Sequence, residues 1–158
     1  WARSRGLGDV YKRQILFIYT ATEAYILGIV CARNNIQAVF LAAGTTLVIT
    51  VVMTLFACQT KYDCTGAGGF LLTSLCGIIT INIINIFVKS TTVHLWAACG
   101  SVVLFSAYIV YDTQLIVGGS HRKYQFSTED HVLATISIHL DMVNIFLNIL
   151  QILTSSRD

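Results

Sequence analysis

The chain alternates long apolar runs with short polar breaks. Five runs stand out: Ile15–Ala32, Ile36–Cys58, Ala67–Val88, Val93–Gly118 and Thr128–Leu153, separated by Arg33–Asn35, Gln59–Gly66, Lys89–Thr92 and Gly119–Ser127. Each run has about 18 residues or more, enough at ~1.5 Å per residue to cross a hydrocarbon core of ~30 Å as a helix. A backbone in lipid must satisfy its own hydrogen bonds, so runs of this length predict helices. The pattern therefore predicts an all-α, polytopic membrane bundle. Ser127, followed by Glu129 and Asp130, reads as the cap and acidic first turn of the last helix.

That last run breaks its own apolar text in a regular way. Ser137, Asp141, Asn144, Asn148 and Gln151 are spaced 4, 3, 4 and 3 apart, which places them along one side of a helix. A helix facing lipid has no use for such a stripe, so the spacing puts this helix inside the bundle with its polar seam toward protein or water. The Ser and Asn members equally suit plain hydrogen bonding between helices. Asp141 is different, because a carboxylate at that depth costs at least a few kcal/mol and calls for a partner.

Two further acids lie in or beside apolar runs. Glu23 is about 12 Å along its helix from one membrane face, and Asp112 sits where the fourth run, in IVYDTQLIVGG, approaches that same face. If the first turns of the last helix protrude beyond the membrane, Asp112, Asp141 and Glu23 fall in one half of the bundle. Carboxylates gathered in low dielectric cannot all ionise cheaply, so a proton is shared between them. They also make an oxygen-rich site fit for Ca²⁺, which takes about six to eight oxygens. The spacing leaves both outcomes open. Asn82 and Asn85 read as helix–helix contacts, His139 as a hydrogen-bonded imidazole on another face from Asp141, and His94 and Trp96 as interfacial residues.

Composition agrees with the membrane reading. Apolar residues are 55% of the chain and charged residues 11%, where soluble domains carry roughly 25% charged. A net charge of +2 with no basic, aromatic-interleaved run gives no footprint for nucleic acid. The five cysteines form no CxxC and sit mostly in apolar text, where they serve as small packing residues. No nucleophile elbow, HExxH motif or glycine-rich phosphate loop occurs, so neither an enzyme nor a cofactor is expected. Residues 1–14, WARSRGLGDVYKRQ, differ abruptly from the apolar run that begins at Ile15. GLGDVYKRQ looks like translated sequencing adapter, and these residues are set apart from a transmembrane domain over 15–158. Charges do not orient the bundle: Lys61, Arg122 and Lys123 lie on the side of Gln59–Gly66 (side A), against Arg33, Lys89 and Arg157 on the other (side B).

Four ordered blocks carry a family resemblance: LFIYTATEA (Leu16–Ala24), QTKYDCTGAGGFLL (Gln59–Leu72), IVYDTQ (Ile109–Gln114) and STEDHVLATISIHLDMVNIFLNIL (Ser127–Leu150). Together they resemble the transmembrane BAX-inhibitor-motif, or lifeguard, family, and within it the Golgi anti-apoptotic branch. The resemblance implies a bundle of seven helices with the last one central, of which this chain holds five, the native protein carrying two more hydrophobic segments upstream of Ile15. It implies a pH-sensitive pair at Asp112 and Asp141, a Ca²⁺ leak from internal stores, modulation of cell death with possible partner proteins, and a Golgi or endoplasmic reticulum membrane with side A cytosolic. Relatives also carry an acid near the side B start of the fourth helix, where this chain reads KSTTVHLW (Lys89–Trp96), so no role of that acid transfers. A non-conducting regulator and a proton-coupled exchanger stand as alternatives to the leak.

Overall fold

In the computed structural model the described residues are 2–118, 122–127 and 131–155, with side chains of 2–9 and 131 left aside. The chain forms α1 (Ala2–Arg33), α2 (Ile36–Gln59), a short 3-10 turn (Thr65–Ala67), α3 (Gly68–Val88), α4 (Thr91–Val117) and α5 (His131–Ser155). Among the described residues, five helices are long and apolar enough to cross a membrane. The predicted ends hold to within a few residues except in α1, which runs without a break through the Gln14–Ile15 junction. The acidic first turn expected at Glu129 and Asp130 lies outside the described residues, as does Arg157.

Local chemistry explains the breaks. Asn35 caps α2, its Oδ1 accepting from the Gln37 amide at 2.9 Å. Lys89 ends α3 in the left-handed region at φ 51°, its amide donating to Asn85 O at 2.8 Å. The Asn85 side chain accepts from the Ser90 amide at 3.0 Å, and Ser90 then caps α4. Gly118 closes α4 at φ 59°, a conformation that favours glycine.

Many hydroxyls inside the helices are satisfied locally, Thr113 and Tyr19 being exceptions that are buried with no hydrogen bond. Thr20, Thr22, Thr45, Thr46, Thr50, Thr73, Ser74 and Thr80 each donate to the carbonyl four residues back, all at 2.8 or 2.9 Å.

The bundle centres on α4 and α5, which pack most extensively against each other, with α2 against both. The core is Ala38 and Ala42 of α2, Ile109 of α4, and Ile145, Ile149 and Leu150 of α5. Small residues on α2 let the backbones approach, and the branched side chains of α4 and α5 fill the gap. α1 reaches the bundle mainly through α5, and α3 through α4. Side A is tied together across the loops, and on side B Thr154 Oγ1 bonds Asn34 Oδ1 at 3.0 Å, so α5 crosses the full width of the bundle.

Candidate functional site

Asp112 and Asp141 meet. Each is buried, at 7% and 5% exposure, and their carboxyls lie within hydrogen-bonding reach of one another. Two ionised carboxylates have no donor between them, so that bond requires one proton on the pair. Asp141 Oδ2 is buried and has no N–H or hydroxyl donor.

The aspartates border a cavity of about 520 Å³ between α3, α4 and α5. Four of the five residues of the predicted seam line it: Ser137, Asp141, Asn144 and Asn148, joined by Ser101, Tyr108 and Asp112 of α4 and Asn82 of α3. Leu75, Ile78, Phe105 and Leu140 make up much of its apolar wall. The amides in that lining share one arrangement. Asn144 Nδ2 donates to Leu140 O at 2.8 Å, Asn148 Nδ2 to Asn144 O at 2.7 Å, and Asn82 Nδ2 to Ile78 O at 3.0 Å. Ser101 Oγ likewise donates to Ala97 O at 2.8 Å. Since each partner is a carbonyl oxygen, the nitrogen must be the bonded end of each amide. One N–H of each amide is thus committed to its helix's own backbone, and the oxygen together with the second N–H is what each amide has left to offer.

Two predicted members are elsewhere. Gln151 lies toward side B, where its Nε2 is 2.9 Å from His94 Nδ1 and donates to His94 O at 3.2 Å. Glu23 does not join the aspartates. Its Oε2 is 3.5 Å from Nε2 of His139, a side chain 40% exposed, and the Tyr19 ring meets the imidazole edge-on at 5.9 Å and 80°. The expectation of three acids in one cluster is therefore corrected to a pair plus a separate contact on another face of α5. His139 and Asp141 are two residues apart, which turns them roughly 200° from each other on a helix.

Sequence reasoning missed the assembly above the aspartates on side A. Gln114, fully buried and two residues beyond Asp112, accepts from the Cys64 amide at 2.8 Å and donates to Tyr62 O at 3.1 Å and Ala57 O at 3.5 Å. Arg122 donates to the carbonyls of Tyr62, Ala57 and Thr60, the last two at 3.3 and 3.1 Å, and so serves the free carbonyls at the end of α2. Asp63 accepts from Thr65 Oγ1 at 2.6 Å, the Thr65 amide at 2.9 Å and the Lys123 amide at 2.9 Å. The Thr65 hydroxyl bond leads in holding its carboxyl below the usual carboxylate range. The signal available in sequence was that Gln59–Gly66 and the end of the YDTQ block share side A, but Gln114 and Cys64 are 50 residues apart.

Among the described residues, no three or more His, Cys, Asp or Glu side chains are grouped to hold a metal ion. A cation at the aspartate pair would draw its remaining oxygens from amides, hydroxyls or water.

Comparison with known proteins places these features in context. Residues 10–158 match the Bax1-I family, described as "Inhibitor of apoptosis-promoting Bax1". Bax inhibitor 1 of Schizosaccharomyces pombe is 35% identical over 139 residues, covering 87% of this chain and 50% of the relative. Protein lifeguard 3 of Mus musculus is 32% identical over 149 residues, 91% of this chain and 47% of the relative. The Golgi anti-apoptotic protein of vaccinia virus is 30% identical over 139 residues, 88% of this chain and 56% of the relative. The chain thus spans about half the length of these relatives.

Proposed function

The chain belongs to the Bax-inhibitor family, and from that premise we propose that it is a multi-pass regulator of cell death that acts by a pH-gated Ca²⁺ leak. The observation that carries this reading is the acceptor-lined cavity beside the aspartate pair. Carboxylate, amide and hydroxyl oxygens suit a hard cation, and amides held to their own helices through nitrogen have oxygen left to give. With one proton on the pair, the carboxyl–carboxyl hydrogen bond ties α4 to α5, and this is the closed arrangement. Loss of that proton sets two like charges against each other in a low-dielectric site, parts the helices and opens the cavity to the cation. Side A is then the face from which protons reach the pair. Golgi and endoplasmic reticulum membranes are the proposed location, and Ca²⁺ is cargo and not a resident metal.

The test is Ca²⁺ flux into liposomes holding the purified protein, measured against pH on side A. Flux should rise as pH rises through the loss of the shared proton, and Asp141→Asn and Asp112→Asn should each abolish that dependence, because an amide does not titrate. An unchanged pH profile in either variant would remove the pair as the gate. Flux that requires an opposing proton gradient would assign exchange in place of leak, and no flux in the wild type would assign a non-conducting regulator.

A further inference from the structure

α5 carries ionisable contacts on two opposed faces. Asp141 faces α4 and Asp112, and His139, about 200° around the helix, faces α1. On α1, Tyr19 and Glu23 are four residues apart and so share a face. Tyr19 meets the His139 ring, and Glu23 Oε2 lies 3.5 Å from its Nε2. Glu23 Oε2 is buried and has no hydrogen bond of its own. α5 is the helix against which α1 mainly packs, so this cluster is where α1 is seated. α2, which also packs on α5, offers no competing acid or base between Ile36 and Ala57. From α4, the titratable side chains at this level are Tyr108, Tyr111 and Asp112, with Tyr108 and Asp112 lining the cavity beside Asp141.

We propose that Glu23 is a positioning residue: its contact with His139 fixes the rotation of α5 about its own axis and thereby holds Asp141 against Asp112. α4 and α2 hold α5 on two sides, with Gln151–His94 and Thr154–Asn34 bonds toward side B, and the contact with α1 adds a stop on the remaining face against a roll that would carry Asp141 off its partner. Glu23 Oε2 is buried and has the imidazole as its polar neighbour, so parting the two leaves an acid in apolar surroundings. The contact with α1 therefore opposes the roll that would part the aspartates. Two contacts that bias one movement are coupled, and weakening the first makes the second easier to open.

The consequence for flux rests on the proposed role of the aspartate pair as the gate, whereas the placement of α5 does not. Two measurements on the purified protein in liposomes separate them. The first is the distance distribution between spin labels at Ile15 of α1 and Leu133 of α5, both exposed, in a background with the five cysteines changed to serine. The second is Ca²⁺ flux against side A pH. Four forms are compared: wild type, Glu23→Gln, His139→Gln, and the exchanged pair Glu23→His with His139→Glu. Glu23→Gln keeps the shape of the side chain, so its effect is not one of packing. The two single variants should broaden the distance distribution and raise flux on the acid side, where the gate is otherwise closed, by about fivefold or more, the usual size of coupling between linked sites. The exchanged pair should restore both the narrow distribution and the wild-type pH profile. Single variants that leave both readouts at wild type would overturn the proposal. So would single variants that disturb them without rescue by the exchange, because the two residues would then act separately. Absence of flux in all four forms would reject the gate, while the distance distributions would still decide whether Glu23 positions α5.

Discussion

Two polar assemblies lie a half-turn apart on α4, and they are built on opposite rules. Around Gln114 on side A, the groups are matched: its amide oxygen and nitrogen, the Asp63 carboxylate, the Arg122 guanidinium and the exposed carbonyls of α2 all find partners across the loops. Around Asp112 and Asp141, the matching is incomplete, with donors engaged within single helices and a buried carboxylate oxygen left over. A fully satisfied network fixes one arrangement, and a part-satisfied one in low dielectric is held in readiness for a proton or a ligand. The side A assembly is a frame, and the cavity below it is a site.

The comparison can be broken most forcefully at Gln114. Gln114→Leu leaves the Cys64 amide without a partner and the Tyr62 carbonyl with Arg122 alone, and should cost about 1–3 kcal/mol, read from thermal unfolding in detergent. A loss too small to measure would mean that water replaces the side chain and that side A is no frame. Next in size is Gly118→Ala. A Cβ there would lie 2.5 Å from Gln125 Oε1, at a φ of 59°, and the cost should be about 1–2 kcal/mol in the same assay.

Asn144→Leu sharpens the contrast from the other side. Its Nδ2 bond is to its own helix, so stability should change by less than about 1 kcal/mol. Flux should nevertheless fall well below wild type, because a cavity oxygen is removed. A stability loss matching that of Gln114→Leu would erase the distinction between frame and site. The smallest effect is expected from acid at Asp63. Its carboxyl titrates below the usual carboxylate range because the folded loop favours the charged form, so the contribution to loop order is complete above about pH 4 and is lost as pH falls through the lowered value. Hydrogen exchange at the amides of Thr65 and Lys123 should accelerate only in that acid window, and in Asp63→Asn it should be fast throughout. Protection that persists in the variant would assign the order of the loops to Arg122 and Gln114 alone.

Much of this was legible in the amino-acid text because the membrane makes polar residues expensive. The seam of α5 could be read from spacing alone, whereas the meeting of Asp112 with Asp141 was conditional on the first turns of the last helix protruding, and the pair was what the family resemblance implied. Glu23 was misplaced for a physical reason: α1 is apolar on nearly every side, so nothing in its periodicity says which face turns inward. His139 lacked a partner for the same reason, since the sequence does not say which helix lies behind α5. Gln151 shares the stripe but lies two turns past Asn144, beyond the cavity and level with His94. The Gln114 assembly was hidden differently. Its partners are backbone groups, which every residue type carries, so no side-chain pattern betrays them.

The threonines and serines of α1, α2 and α3 bear on how the bundle is made. A hydroxyl already bonded to its own helix asks nothing of its neighbours, so α2 and α3, which carry no acid within their apolar runs, can enter the bilayer one at a time and stay there as independent helices before they associate. Asp112 and Asp141 have no such self-sufficiency. α5 carries one of the two acids, and the acid that meets it lies on α4, the segment just before it in the chain. Insertion of α4 and α5 is therefore best served as a joint event, the two hairpinned carboxyls entering lipid around a shared proton.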